Sequence, residues 1–112
     1  MECLFCKIIN KELPAEIIHE DEKILAFRDI YPKAKVHILI VPKQHVLAAS
    51  FSESKIGKEL IGEMFSAAGK IAETKLISQG GYRLVVNVGK DAGQTVEHLH
   101  LHLLGGEKLP WA

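Results

Sequence analysis

The chain has 112 residues, enough for one domain with a single hydrophobic core. It is 47% hydrophobic and 25% charged, as globular proteins are, and its 14 basic residues balance 14 acidic ones. This neutrality argues against nucleic acid or a membrane surface as a partner, because both attract a concentrated basic surface. The start of the chain does not resemble a signal peptide, and no apolar run is long enough to cross a bilayer, so we expect a cytoplasmic protein.

The predicted elements begin with a short helix over residues 4–12, which Pro14 closes. Two strands follow, at 16–20 and 23–30, and a strongly apolar third strand spans 36–41. Over residues 52–77 the apolar residues recur at helical spacing in two neighbouring rows. This stripe is wider than one sheet contact requires, which suggests that part of the long helix meets a partner subunit. The segment QGG at 79–81 is expected to end the helix, with glycine in the left-handed conformation.

Two further strands complete the pattern, one over residues 82–88 and one over the segment HLHLHLL at 98–104. A glycine-containing loop, GKDAGQT, lies between them. Short connections and this order of elements favour an α+β fold, with an antiparallel sheet of about five strands, one long helix and a short N-terminal helix.

The last strand alternates histidine with leucine, so the two residue types lie on opposite faces. We expect the leucines to pack against the long helix and His98, His100 and His102 to face a cleft. Three interpretations remain open at this point: a half-polar sheet face without function, a zinc site built on H-x-H, or nucleophilic catalysis. In the third, one imidazole attacks phosphorus while its neighbours fix the tautomer and donate protons.

The residues before this strand favour phosphate chemistry. The two glycines of the loop could let backbone N–H groups approach an anion closely, and Gln94 and Thr95 add side-chain donors. Asn87 interrupts the apolar run LVVNV, either as part of a site or as a solvent-facing polar residue.

The two cysteines, Cys3 and Cys6, have C-x-x-C spacing. In a reducing cytosol they remain thiols, so a structural disulfide is not expected. They are either half of a zinc site or two half-buried thiols at the start of a helix, and the spacing alone leaves both possibilities open.

The segment HLHLHLL followed by GG resembles the signature of the histidine triad (HIT) superfamily. FCKIINKELPA, LAFRDIYPKAKVHILIVPKQH, GYRLVVNVGKDAGQTVEHLHLHLLGG and the terminal PWA are similar to its Hint branch, the purine nucleoside phosphoramidases. The resemblance covers nearly the whole chain. It implies a single HIT domain over residues 1–112, whose sheet continues across a homodimer. It also implies a purine nucleotide substrate and hydrolysis of nucleoside 5′-phosphoramidates to AMP and an amine.

The resemblance assigns roles by position. His100 matches the nucleophile that attacks the α-phosphorus, and His98 and His102 match the flanking histidines that orient the site and contact phosphate. Thr95 matches a hydroxyl near the leaving group, and Asp29 matches the carboxylate that binds the ribose hydroxyls. Phosphate contacts are implied for Asn87, Gly93 and Gln94, and apolar walls around the purine for Phe5, Ile8, Phe27 and Ile30.

A structural zinc ion is also implied by analogy with related HIT proteins, with Cys3, Cys6, His45 and His98 as ligands; the alternative is an empty site with reduced thiols. No cofactor is needed for the chemistry. Trp111 lies in a tail that in the Hint branch approaches the partner's active site, unless the tail is merely frayed.

Three other functions compete with this assignment. They are a dinucleoside polyphosphate hydrolase of the Fhit type, a nucleotide- or zinc-binding module without enzymatic function, and a catalytic zinc on the triad itself.

Overall fold

The computed structural model describes residues 3–110, so Trp111 and the expectation attached to it lie outside the described residues. The helices are α1 (Leu4–Ile9) and α2 (Lys55–Thr74), and 3₁₀ turns occupy Ala48–Glu53 and Lys90–Ala92. The strands are β1 (Ile17–Glu20), β2 (Ile24–Arg28), β3 (Val36–Pro42), β4 (Tyr82–Val85) and β5 (Leu101–Gly105). They form one antiparallel sheet in the order β1-β2-β3-β5-β4. The predicted α+β fold, with a five-stranded antiparallel sheet, one long helix and a short N-terminal helix, is confirmed.

The sheet carries a core on each face. Side chains of β3 alternate between the two, because successive residues of a strand point to opposite sides. Ile38 and Ile40 join the larger core under α2, whereas Leu39 and Val41 pack with residues of α1. The larger core contains Leu99, Leu101 and Leu103 together with the α2 residues Leu60, Met64, Ala67, Ala68, Ile71 and Ala72. The leucines of the alternating segment therefore pack against the long helix, as expected.

The long helix begins and ends inside its predicted range. Ser54 caps its first turn, accepting a hydrogen bond from the backbone N–H of Gly57 at 2.9 Å, and the preceding residues form a 3₁₀ turn instead. The left-handed residue after the helix is Leu76 (φ 61°), not a glycine of QGG as expected. The chain reverses at this position because Ile77 returns at once to the core, its N–H bonding to the carbonyl of Ala72 at 3.0 Å.

The last two strands, β4 and β5, are shorter than predicted. The ladder of β5 begins at Leu101, and His98 is paired only through an isolated bridge to Leu47. β4 ends at Val85, which places Asn87 in the following loop. Among the described helices, none combines the length and the apolar character that a membrane span requires.

Candidate active site

A cavity of about 800 Å³ opens between α1, the β2–β3 connection and the loop that precedes β5. Its polar lining includes Asp29, Asn87, Thr95, His100 and His102, and its apolar wall includes Phe5, Ile8, Phe27, Leu39 and Val96. The volume and the mixture of an apolar wall with a few convergent polar groups are typical of a small-molecule site.

His100 is held in one tautomer by its own chain. Its Nδ1–H donates to the backbone carbonyl of His98 at 2.8 Å, so Nε2 carries the lone pair. The side chain is buried, and burial lowers the pKa of His100, although the hydrogen bond to the His98 carbonyl and the negative charge of Asp29 partly oppose this shift. At neutral pH the residue is therefore an uncharged imidazole with a free nucleophilic nitrogen.

A second chain of hydrogen bonds fixes His102, and it passes through His37, a residue that the sequence analysis did not single out. The backbone N–H of Lys33 donates to His37 Nδ1 at 3.0 Å, so the proton of a neutral His37 lies on Nε2. His37 Nε2 is 3.0 Å from His102 Nδ1, which must then accept, leaving the proton of His102 on Nε2. Burial lowers the pKa of His37, and burial together with the charges of His100 and His37 lowers that of His102 to about 4. Both rings are thus neutral, and His102 is a hydrogen-bond donor on the lining of the pocket.

Asp29 lies beside this chain. One carboxylate oxygen accepts the N–H of Tyr31 at 2.8 Å, and the other is 3.4 Å from His37 Nε2. Asp29, His37 and His102 are close enough to be considered as metal ligands. However, His37 accepts a hydrogen bond at Nδ1 and holds its own proton on Nε2, so it has no free lone pair for a metal. The cluster is therefore a hydrogen-bonded chain beside a carboxylate that still has free lone pairs.

The loop before β5 does not offer its glycine N–H groups to an anion, although the sequence analysis expected it to. The N–H groups of Gly89 and Gly93 both bond within the loop, to the Gln94 side chain and the Lys90 carbonyl respectively, and so are not available to an anion. The Gln94 amide also donates to the carbonyl of Val96 at 3.1 Å, and this side chain is not part of the cavity lining. Gln94 shapes the loop, while Gly93, in the left-handed conformation (φ 85°), and Thr95 line the cavity.

The residues expected around a purine ring lie together on one side of the cavity. Phe5, Ile8 and Phe27 are buried, and the rings of Phe5 and Phe27 meet edge to face with centroids 5.7 Å apart. Phe5 also meets the His100 ring edge to face at 5.0 Å. Ile30 is 78% exposed and stands at the rim.

His98 faces away from the cavity. Its Nε2–H donates to the carbonyl of Pro42 at 2.8 Å, and its Nδ1 is 3.4 Å from the sulfur of Cys3 and 3.6 Å from that of Cys6. Neither ring nitrogen is therefore turned to a ligand in the cavity, and a zinc ion shared by all three triad histidines does not suit this geometry. His98 acts on the cavity through its carbonyl, which orients His100.

The thiols and two histidines form the tetrad that was expected as a zinc site. The fourth member, His45, lies with Nδ1 3.2 Å from the sulfur of Cys6, and all four donor atoms are within 4.8 Å of one another. Zinc bound by sulfur at about 2.3 Å and nitrogen at about 2.0 Å holds its ligand atoms about 3.3–3.8 Å apart, close to the three sulfur–nitrogen distances of 3.2, 3.4 and 3.6 Å. The hydrogen bond from His98 to Pro42 is the kind of brace that ligating histidines carry. His45 has no such brace, since its Nε2 is buried without a hydrogen-bond partner among the described residues. The donor set fits zinc.

Comparisons with known proteins agree with this fold. The HIT domain family model matches residues 10–109. The purine nucleoside phosphoramidase of Escherichia coli strain K12 is 43% identical over 109 residues, covering 96% of this chain and 90% of that protein. A HIT family hydrolase from Legionella pneumophila has a structure with a TM-score of 0.92 at 46% identity, covering 98% of this chain and 97% of that one. A histidine triad protein from Clostridium difficile also gives 0.92, at 41% identity, over 100% and 96% of the two chains. The protein belongs to the HIT domain family.

Proposed function

We propose that this protein hydrolyses the P–N bond of purine nucleoside 5′-phosphoramidates, releasing a nucleoside monophosphate and an amine. The observation that carries the proposal is the state of His100, a neutral imidazole whose Nδ1–H is bound to a backbone carbonyl and whose ring lines a nucleotide-sized cavity. The likeness to the phosphoramidase of E. coli supports the choice of substrate.

In the first step the Nε2 lone pair of His100 attacks the α-phosphorus. The P–N bond of the substrate breaks with its electron pair going to nitrogen, which takes up a proton from water at the mouth of the cavity beside the Thr95 hydroxyl. The Nε2–H of His102 and the amide of Asn87 donate to the phosphoryl oxygens as their charge rises. The product of this step is a nucleotidyl-His100 intermediate and a free amine.

In the second step water attacks the phosphorus, and the bond from phosphorus to Nε2 breaks. A proton is released, which balances the one taken up before, and His100 returns to its neutral state. The intermediate carries positive charge on the imidazole, and this charge is stabilised by the carbonyl of His98 and by the nearby carboxylate of Asp29.

In the proposed complex, different residues of the same cavity bind the ribose and the purine ring. The free lone pairs of Asp29 suit two ribose hydroxyls, because a carboxylate is purely an acceptor. The apolar wall of Phe5, Ile8 and Phe27, with Ile30 at the rim, suits a flat purine ring without distinguishing adenine from guanine. Gly93 and Gln94 contribute through the shape of the loop that holds Thr95.

We further propose that Cys3, Cys6, His45 and His98 hold a zinc ion with a structural role. A zinc ion held by this closed Cys₂His₂ set would cross-link the fold and would take no part in the reaction. Burial, with a smaller contribution from Cys3, raises the pKa of Cys6 to about 11, so zinc binding must displace a thiol proton.

We also propose a homodimer in which the β4 edge and α2 of two chains meet. Phe65 on α2 is 43% exposed, and Tyr82 on the edge strand is 38% exposed. The Tyr82 hydroxyl reaches to Gly69, one turn after Phe65, so the two aromatic residues belong to one surface. Sedimentation velocity of the wild type and of Phe65→Lys checks this proposal: we expect a dimer and a monomer respectively, and a monomeric wild type would overturn it.

Turnover of adenosine 5′-phosphoramidate and of diadenosine tetraphosphate by one preparation tests the proposed reaction. We expect rapid AMP release from the first substrate, slow turnover of the second, and loss of both activities in His100→Ala. A preference for the dinucleotide would favour the Fhit-type hydrolase. Binding of AMP without turnover of either substrate would favour a nucleotide-binding module.

A further inference from the structure

The short helix α1 forms part of the nucleotide cavity and also carries both cysteines. Leu4, Phe5 and Ile8 line the cavity, and Phe5 touches the ring of His100. Cys3 caps the helix and Cys6 lies in its first turn. Any change in how the cysteines are held is therefore transmitted to the wall of the nucleotide site.

The partners of the two thiols, His45 and His98, lie on segments that are hydrogen-bonded to each other and to the sheet. The segments that carry His45 and His98 are joined by the bridge between Leu47 and His98 and by the bond from Leu99 N–H to the Val46 carbonyl at 2.7 Å. The ring of His98 is tied to β3 through the carbonyl of Pro42. By contrast, α1 has six residues, too few for a helix to be stable by itself. A zinc ion bound by all four residues would join α1 to the rest of the domain through two bonds, one from Cys3 and one from Cys6.

The same two sulfurs have an alternative bond, to each other. They lie three residues apart, and both face His98 Nδ1 within 3.6 Å. A hydroperoxide can oxidise the pair of zinc-bound thiolates, which give up two electrons and form one S–S bond. The hydroperoxide takes up these electrons and two protons from solvent and is reduced to water and an alcohol. Zn²⁺ is released, because the disulfide sulfurs no longer bind it. The resulting disulfide is internal to the first turn of α1, so it no longer joins the helix to His45 or His98.

We propose that Cys3 and Cys6 are a redox modification site that controls the nucleotide cavity: reduced thiols with zinc fasten the purine wall, and the disulfide releases it. This inference rests on the proposed nucleotide binding and goes beyond a structural role for the metal. The chain has only these two cysteines, so thiol oxidation has no other target in it.

The test uses three states of the full-length protein: reduced and loaded with zinc, oxidised with hydrogen peroxide, and oxidised protein re-reduced with dithiothreitol and given zinc. AMP affinity is measured by isothermal titration calorimetry, the zinc released by a colorimetric chelator, and the order of α1 by hydrogen exchange. We expect oxidation to release one zinc per chain, to speed exchange in α1, and to weaken AMP binding about tenfold or more, as when one apolar contact is lost. Reduction with zinc restores all three values.

Cys6→Ala is the matched variant, because it cannot form the disulfide and lacks one ligand. We expect it to bind AMP as weakly as the oxidised wild type and to show no further change with peroxide. If the wild type forms the disulfide and loses zinc while AMP affinity and α1 exchange stay unchanged, or if peroxide forms no disulfide, the inference is wrong. If the reduced, zinc-loaded protein does not bind AMP at all, the proposed function is wrong instead. The hydrogen exchange of α1 in the reduced and oxidised states still tests whether the zinc-bound thiols hold α1 in place.

Discussion

A substitution of His37 can remove its hydrogen bond to His102 while keeping its hydrogen bond to the Lys33 N–H. In His37→Asn the side-chain oxygen can still accept the Lys33 N–H, as Nδ1 does now at 3.0 Å, but nothing remains to donate to His102 Nδ1. His102 then loses the bond that keeps its proton on Nε2. A buried hydrogen bond contributes about 1 kcal/mol, and loss of a donor to the transition state costs about 10²-fold in kcat, so we expect kcat to fall between about ten- and hundredfold.

His37→Gln is the matched control, because its amide nitrogen can occupy the position of Nε2 and donate to His102. We expect it to recover most of the lost rate, although the Lys33 N–H loses its acceptor. The assay is AMP release from adenosine 5′-phosphoramidate, followed by chromatography below the melting temperature of every variant. A kcat within threefold of wild type for the asparagine variant, or equal losses in both variants, would refute the assigned tautomer of His102.

Three further predictions concern stability and are all read by urea denaturation. Leu76 is 89% exposed and has a left-handed backbone, so Leu76→Gly should remove backbone strain and stabilise the fold by about 0.5–1 kcal/mol. Leu76→Ala keeps a Cβ and should stabilise it little. A less stable glycine variant would contradict this prediction. Gly93→Ala places a Cβ at φ 85° and should cost about 1 kcal/mol, while Gly80→Ala, also in open space, should cost much less; equal costs would contradict the strain argument. The lowered pKa values of His37 and His102, the latter to about 4, mean that the unfolded chain binds protons first. Stability should be full above about pH 6.5 and fall as the pH drops toward 4, and a flat profile across that range would contradict the burial of neutral rings.

Much of the fold follows from the sequence because its signals are local. The alternation of residues 98–104 predicts one leucine face, and Leu99, Leu101 and Leu103 are all fully buried under α2. The two apolar rows over residues 52–77 predict the helix, although its end could not be located. The left-handed turn falls where Ile77 must return to the core, and this tertiary requirement outweighs the preference for glycine.

The sequence predicted many of the residues that line the cavity, such as His100 and Asp29, but not the hydrogen bonds that these residues make. His37 stands in the apolar run VHILIV, and a histidine within such a strand was the available signal. Its two partners, however, lie in a loop and on β5, which neighbours β3 in the sheet but places His102 65 residues away in sequence. The sequence also could not show that Gln94 would use its amide inside its own loop, or that the ring of His98 would turn to the thiols while its carbonyl served His100.

The nucleotidyl-His100 intermediate is the central claim, and a rapid-quench reaction with radiolabelled adenosine 5′-phosphoramidate tests it most directly. Label bound to protein should appear before steady-state AMP release, map to the peptide containing His100, and be absent from His100→Ala. Full turnover in the wild type with no labelled protein at any time would show that water attacks the substrate directly, and the nucleophilic role of His100 would be wrong.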